Sequence, residues 1–160
     1  MTLSQSRRAA LLARQGQLQA GIALIRELPE RKADDARNKL FAEVALLKEF
    51  KQLQMAFDRL AQAIAAAPQD IELMYEQAMT AEKLNRLPEM EQLLRRVIQI
   101  KPDYQAAYNA LGYTFADHNI RLDEAAELIE KALSLSPDDS FILDSKGWVL
   151  YRQGKLAAAL

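Results

Sequence analysis

Few residues in this sequence carry the chemistry of an active site. His118 is the single histidine. It sits in the run Asp117-His118-Asn119. A histidine and a carboxylate can share a proton, but neighbours in sequence do not make a catalytic pair, and no nucleophile accompanies them. His118 reads as a solvated turn residue. The acidic pairs Glu124/Glu127 and Asp138/Asp139 fall where helices are expected to begin. Carboxylates there are favoured by the helix dipole, which explains them without a metal. The basic pairs Arg7-Arg8 and Arg95-Arg96 are isolated, and they read as solvated or salt-bridged. There are no cysteines, so disulfides, zinc–cysteine sites and thiol catalysis are excluded. The residues point to no enzyme, no cofactor and no metal.

Length and composition narrow the remaining classes. A chain of 160 residues is one globular domain or one short repeat array. Hydrophobic residues make up 50% of it. Alanine is the largest share, which suits close-packed helices better than a bulky single core. The chain has 21 basic and 22 acidic residues, a net charge of −1. A nucleic-acid binder normally carries a basic face, so none is expected. No apolar run approaches the roughly 20 residues needed to span a bilayer. The start, MTLSQSRRAALLARQG, has Arg7 and Arg8 but no signal-peptide core after them.

The elements follow from hydrophobic period and breakers. Residues 3 to 15 read as a helix with Leu11 and Leu12 inward, stopped at Gln15-Gly16. A helix over 18 to 28 carries Leu18, Ile22, Ile25 and Leu28, and Pro29 ends it. Asp34 or Asp35 caps the next helix, which runs to about Phe50, and its partner spans 53 to 67. Gln69-Asp70 caps 71 to 84. After Asn85-Arg86-Leu87, Pro88 opens a helix ending at Ile100. Asp103 caps 104 to 117, and Asp123 caps a helix to about Leu135. Asp138 and Asp139 cap a ninth to about Gln153, ended by Gly154. Lys155 to Leu160 begins a tenth. No strand signal survives, so the fold class is all-α.

The helices repeat. Tyr108, Leu111, Gly112 and Phe115 form one helical face, followed by Ala125, Ile129 and Ala132 on the next helix and then Pro137. A small residue lets two antiparallel helices approach closely, large residues fill the gaps beside it, and proline stops the second helix. The small position recurs as Ala9, Val44, Ala78, Gly112 and Gly147, a period of about 34 residues. Units close at Pro68, Pro102 and Pro137. The turn after Gly112 is one residue longer than its counterparts, an extra residue in His118-Asn119-Ile120-Arg121 that reads as a tolerated surface insertion.

This order resembles the tetratricopeptide repeat, TPR. The resemblance implies an α-solenoid of about four and a half antiparallel helix pairs, a right-handed superhelix with a concave groove. The repeats would be 2–36 (degenerate), 37–70, 71–104, 105–139 and 140–160 (truncated), in one array over 1–160. Such proteins usually bind proteins or peptides and seldom catalyse. The wording of the last third, from YNALGYTFADHNIRLDEAAELIEKAL onward, is similar to proteobacterial outer-membrane lipoproteins that carry tandem repeats in the periplasm. Some of these act as adaptors that bind a carboxyl-terminal-processing protease and present cell-wall hydrolases to it. That likeness implies a periplasmic location. Residue chemistry alone allows the cytoplasm equally. With no lipidation cysteine or signal peptide here, the sequence would be an internal piece of such a protein. Lys146 stands where leucine is expected before Gly147.

In this frame the first helix of each pair lines the groove, and residues flanking the packing position point into it. These are Phe41, Tyr75, Met79, Asn109, Tyr113, Asp144, Trp148 and Tyr151. Aromatics give contact area at low entropic cost, and Asn can hydrogen-bond a peptide backbone. Some family members hold a terminal carboxylate with Lys, Asn and Arg. The corresponding positions here include Phe41, Ala45, Glu76, Ala106 and Ala110, so that clamp is absent and a chaperone tail is not the expected ligand. The expected function is a protein-binding scaffold, with self-assembly through repeat ends as the alternative. Leu143, Val149 and Leu150 cannot all be covered by the preceding pair. An exposed apolar edge is therefore expected near Leu150, Leu156 and Leu160, open to a second copy.

Overall fold

The computed structural model describes residues 3–155. Among them are nine α-helices and no strand: α1 Leu3–Arg14, α2 Leu18–Arg26, α3 Asp35–Glu49, α4 Leu53–Ala66, α5 Ile71–Lys83, α6 Leu87–Ile100, α7 Gln105–Asp117, α8 Leu122–Leu135 and α9 Ser140–Arg152. They fall into two compact units, one up to Ala66 and one from Ala67. In the first unit α1 packs on α2, α2 on α3 and α3 on α4, with α1 also touching α3. In the second, α5 packs on α6, α6 on α7, α7 on α8 and on α9, and α8 on α9. Within each unit, then, a helix meets the next in sequence, and α1/α3 and α7/α9 also meet across one helix. The predicted tenth helix and the predicted edge at Leu156 and Leu160 lie outside the described residues. Nearby, Leu143 is exposed, Leu150 half-buried and Val149 buried.

The helix pairs close where side chains are small. On α2, a Cβ added to Gly21 would stand 2.6 Å from the Ala9 carbonyl oxygen of α1. On α7, a Cβ at Gly112 would stand 2.9 Å from two side-chain carbons of Ile129 and 3.0 Å from the Ala125 carbonyl oxygen of α8. Around these points the second helices bury one stripe each: Ala56 and Leu60; Met90, Leu94 and Val97; Ala125, Ile129 and Ala132. The expectation for α1 needs correction. Ala9 and Ala13, one helical turn apart, form its inward stripe, while Leu11 is exposed and Leu12 half-buried. Two residues past Ala9 is about 200° around the axis, which turns Leu11 outward.

Every first helix ends in the same turn. Gly16, Lys51, Asn85, Asn119 and Gly154 all have positive φ. The next amide bonds back across the helix end: Gln17 to Leu12 at 2.9 Å, Gln52 to Leu47 at 2.8 Å, Arg86 to Ala81 at 2.8 Å, Ile120 to Phe115 at 2.9 Å and Lys155 to Leu150 at 2.9 Å. This is the Schellman closure, which satisfies carbonyls the helix leaves orphaned. At the other boundary, α4, α6 and α8 stop two residues short of Pro68, Pro102 and Pro137.

The expected caps hold in part. Asp70 accepts from the Leu73 amide at 3.3 Å, and Asp139 accepts from the Phe141 and Ile142 amides at 2.9 and 3.2 Å. Pro88 lies in the first turn of α6. The others differ. Asp34 makes no side-chain cap, and Asp35 turns back to accept from the Arg31 and Lys32 amides at 2.7 and 2.8 Å. Tyr104, not Asp103, precedes α7, and Asp123 lies inside the first turn of α8. There it still meets the helix dipole favourably.

Two stability predictions follow. Gly21→Ala is expected to destabilise by about 1–3 kcal/mol, because a backbone carbonyl cannot swing aside and overpacking outweighs the gain in helix propensity. Lys51→Gly is expected to stabilise by about 1 kcal/mol by relieving a left-handed lysine. Urea titrations followed by circular dichroism measure both. A neutral Gly21→Ala would contradict the close approach of α1 and α2, and a destabilising Lys51→Gly would contradict the left-handed turn after α3.

Candidate functional site

The residues singled out from the sequence divide between the units. Phe41 belongs to the first. It is half-buried on α3, with the Arg37 guanidinium 5.1 Å from its ring centre. The other seven belong to the second unit. On α5, Tyr75 and Met79 are half-buried. On α7, Asn109 is half-buried and Tyr113 is 44% exposed, although its neighbours Leu111 and Gly112 are buried. On α9, Asp144 is exposed, Trp148 half-buried and Tyr151 48% exposed. Spacing of three and four residues places Asp144, Trp148 and Tyr151 on one side of α9, and Asn109 and Tyr113 on one side of α7.

The rings are held by one another and by cations. Trp148 and Tyr151 stack with centroids 5.4 Å apart and planes 8° from parallel. The Arg152 guanidinium lies 4.7 Å from the Trp148 ring centre and donates to the Asp117 carbonyl of α7 at 3.0 Å. Tyr75 meets Tyr104 edge to face at 5.7 Å, and the Lys101 ammonium lies 5.7 Å from Tyr104. Burial pushes both phenols up, with the charges of Tyr104 and Glu76 adding at Tyr75, and those of Glu72 and Glu76 at Tyr104. Both are therefore neutral hydrogen-bonding groups at physiological pH. Three enclosed atoms, Asn109 Oδ1, Trp148 Nε1 and Arg152 Nε, have no hydrogen-bond partner among the described residues. Each such group costs of order 1–3 kcal/mol until a partner reaches it.

Sequence reasoning missed Tyr104, Arg152 and Phe141. Phe141 is three residues before Asp144 on the same side of α9 and is 77% exposed, so its spacing was a usable signal. Tyr104 and Arg152 lie at helix ends, where periodicity gives none. His118 is exposed just past α7, as its turn position implied. Among the described residues no group of three or more His, Asp or Glu is arranged to hold a metal.

No family model matches the chain. It is 40% identical over 156 residues to a TPR repeat-containing protein of Pseudomonas aeruginosa, an alignment that takes in 98% of this chain and 26% of that protein. The chain is built of tetratricopeptide repeats. It spans about a quarter of the length of that relative. Solved structures agree on the fold. MamA from Desulfovibrio magneticus superposes with a TM-score of 0.72 at 18% identity, covering 97% of this chain and 86% of that one. MamA AMB-1 gives 0.69 at 17%, covering 98% and 91%.

Two ionic clusters sit between the repeat helices. In the first unit, Glu43 of α3 has a nearly buried side chain, 3% exposed, yet it is met by Arg26 of α2 at 3.1 Å and Arg59 of α4 at 3.4 Å. In the second unit, the extra residue of the TPR turn before α8 makes contacts of its own. Arg121 is left-handed, at φ 44°, and its guanidinium lies 4.9 Å from the Phe115 ring. It also donates to both carboxylate oxygens of Glu91, at 2.9 and 2.8 Å. Arg95 bridges Glu91, at 2.9 Å, and Glu124. The insertion is thus anchored to α6. The inserted residues are at the surface, as expected of a tolerated insertion, but the sequence reading could not anticipate a partner thirty residues away. Arg96, beside Arg95, donates to the Pro68 carbonyl at 2.9 Å.

Burial of Glu91 opposes its ionisation. Hydrogen bonds from Arg95 and then Arg121 outweigh that and hold its carboxyl below the usual glutamate range. A depressed carboxylate contributes stability that is complete above its unfolded pKa of about 4.3 and drains away as pH falls through the folded value. Wild type is therefore expected to exceed Glu91→Gln in stability at neutral pH, with the gap closing below about pH 4.3. Paired urea titrations between neutral and acid pH measure the gap. A gap independent of pH shows that Glu91 is not so held.

Proposed function

We propose that this chain is a non-enzymatic scaffold that binds a protein or peptide through the side of α5, α7 and α9 bearing Tyr75, Asn109, Tyr113, Asp144, Trp148 and Tyr151. The observation that carries this reading is the aromatic set on α7 and α9. Tyr113, Tyr151 and Phe141 are large rings left substantially exposed beside a half-buried Trp148. Tryptophan and tyrosine of this kind dominate binding energy at interfaces. Nucleophile, base and metal cluster are not gathered on this face, which supports binding over catalysis.

The finer reading is an adaptor for a carboxyl-terminal-processing protease, in a lipoprotein on the periplasmic side of the outer membrane. It rests on the resemblance of the last third to such proteins. No described helix is long and apolar enough to cross a membrane. Association of copies is the second reading, favoured by Phe141 and Leu143, which are 77% and 48% exposed.

The Tyr113→Ala/Trp148→Ala double variant is expected to keep its helical circular dichroism and to lose more than tenfold in affinity for the purified protease, since truncated hot spots cost about 2 kcal/mol or more each. Capture that survives the double variant refutes the binding face. Failure of the wild-type chain to hold the protease refutes the adaptor role. Light scattering that shows concentration-dependent oligomers, abolished by Phe141→Ser, selects self-association instead.

A further inference from the structure

The binding side of the second unit has a charge as well as an aromatic character. Spacing along α5 places Glu72, Tyr75, Met79 and Glu82 in one stripe. On α9 the stripe is Phe141, Asp144, Trp148 and Tyr151, and on α7 Asp117 follows Tyr113 by one helical turn. All the charges on these stripes are carboxylates. The cations closest to them on the same helices include Lys83, next to Glu82, and Arg152, which is committed to the Trp148 ring and the Asp117 carbonyl.

Glu82, Asp117 and Asp144 make no ion pair among the described residues. Carboxylates on the second helices of the same unit contrast with them. Glu91, Glu124 and Glu130 are each matched by Arg95, Arg121 or Lys146. Glu82, Asp117 and Asp144 are thus open beside the exposed rings, where Glu91, Glu124 and Glu130 are paired. Two half-buried rings of the unit already accept cations. Arg152 lies over Trp148 and Lys101 over Tyr104. A cation above an aromatic face is attracted by the ring quadrupole, and a nearby carboxylate adds a second attraction.

We infer that the partner segment bound on this side is a basic peptide. Its arginine or lysine side chains lie over Tyr113 and Tyr151 and pair with Glu82, Asp117 and Asp144. This rests on the binding face proposed above and specifies its ligand.

Selection from a random peptide display library against the whole chain tests both, with the fluorescence anisotropy of the dye-labelled selected peptides as the binding signal. The inference expects selected peptides enriched in arginine and lysine, bound more weakly as salt rises. It expects the near-isosteric triple variant Glu82→Gln/Asp117→Asn/Asp144→Asn, at one half-buried and two exposed positions, to weaken them about tenfold, from three charge contacts. Replacing arginine by citrulline in the peptide should weaken binding by a similar factor. Neutral or acidic peptides that lose binding in Tyr113→Ala/Trp148→Ala would overturn the basic ligand and leave the face standing. Basic peptides indifferent to that double variant, or no selected peptide at all, would overturn the face together with its ligand.

Discussion

The distance at which two antiparallel helices of a repeat can lie is set by the side chain that is missing between them. At Gly112 the Ile129 side chain occupies the space a Cβ would need, and at Gly21 the Ala9 backbone does. Such approach turns the helices into rigid pairs whose buried stripes are narrow, with alanine at Ala56, Ala78, Ala125 and Ala132. On α7 the buried face is broader, taking in Ala107, Tyr108, Leu111, Gly112, Thr114, Phe115 and Ala116. The position after the close contact falls off that face, so Tyr113 is exposed while Leu111 is fully covered. The packing constraint and the exposure of Tyr113 are consequences of the same residue.

The position just before the small residue shows how the frame tolerates chemistry. It is Glu43, Gln77, Leu111 and Lys146 in successive repeats. Leu111 needs only apolar neighbours. Glu43, equally buried, needs both Arg26 and Arg59, because an uncompensated buried charge costs several kcal/mol. Such a pair adds little net stability over a leucine, but it is satisfied only when α2 and α4 flank α3. Lys146 does not meet this problem: its side chain is 43% exposed, and it pairs with Glu130 of α8 at 3.0 Å at the surface.

Much of this was legible in the sequence. Small residues at a fixed period and prolines at the unit ends give nine helices with boundaries within a residue or two, because these signals act locally through sterics. The exposure of Tyr113, Asp144 and Tyr151 was legible for the same reason, since their orientation follows from the packing position. What was not legible depends on distant partners. Tyr104 meeting Tyr75 edge to face and Arg121 reaching Glu91 are set by tertiary approach and leave no periodic trace. The caps fail for a third reason. An aspartate near a helix start has several amides within reach, and Asp35 takes those of the preceding turn.

The inter-helix turns show which part of the repeat is held constant in physical terms. Glycine, lysine and asparagine all occupy the left-handed position, yet the backbone closure is the same in each. The requirement is a hydrogen-bond geometry, and residue type only sets its cost. In the turn before α8 an added residue leaves that closure intact at Asn119 and is absorbed by a second left-handed residue, Arg121. A left-handed arginine costs about 1–2 kcal/mol. Two hydrogen bonds to Glu91 and contact with the Phe115 ring offset it, at a guanidinium that is still half-exposed. The insertion is accommodated because its strain and its compensation reside in one side chain, so neither neighbouring helix has to move.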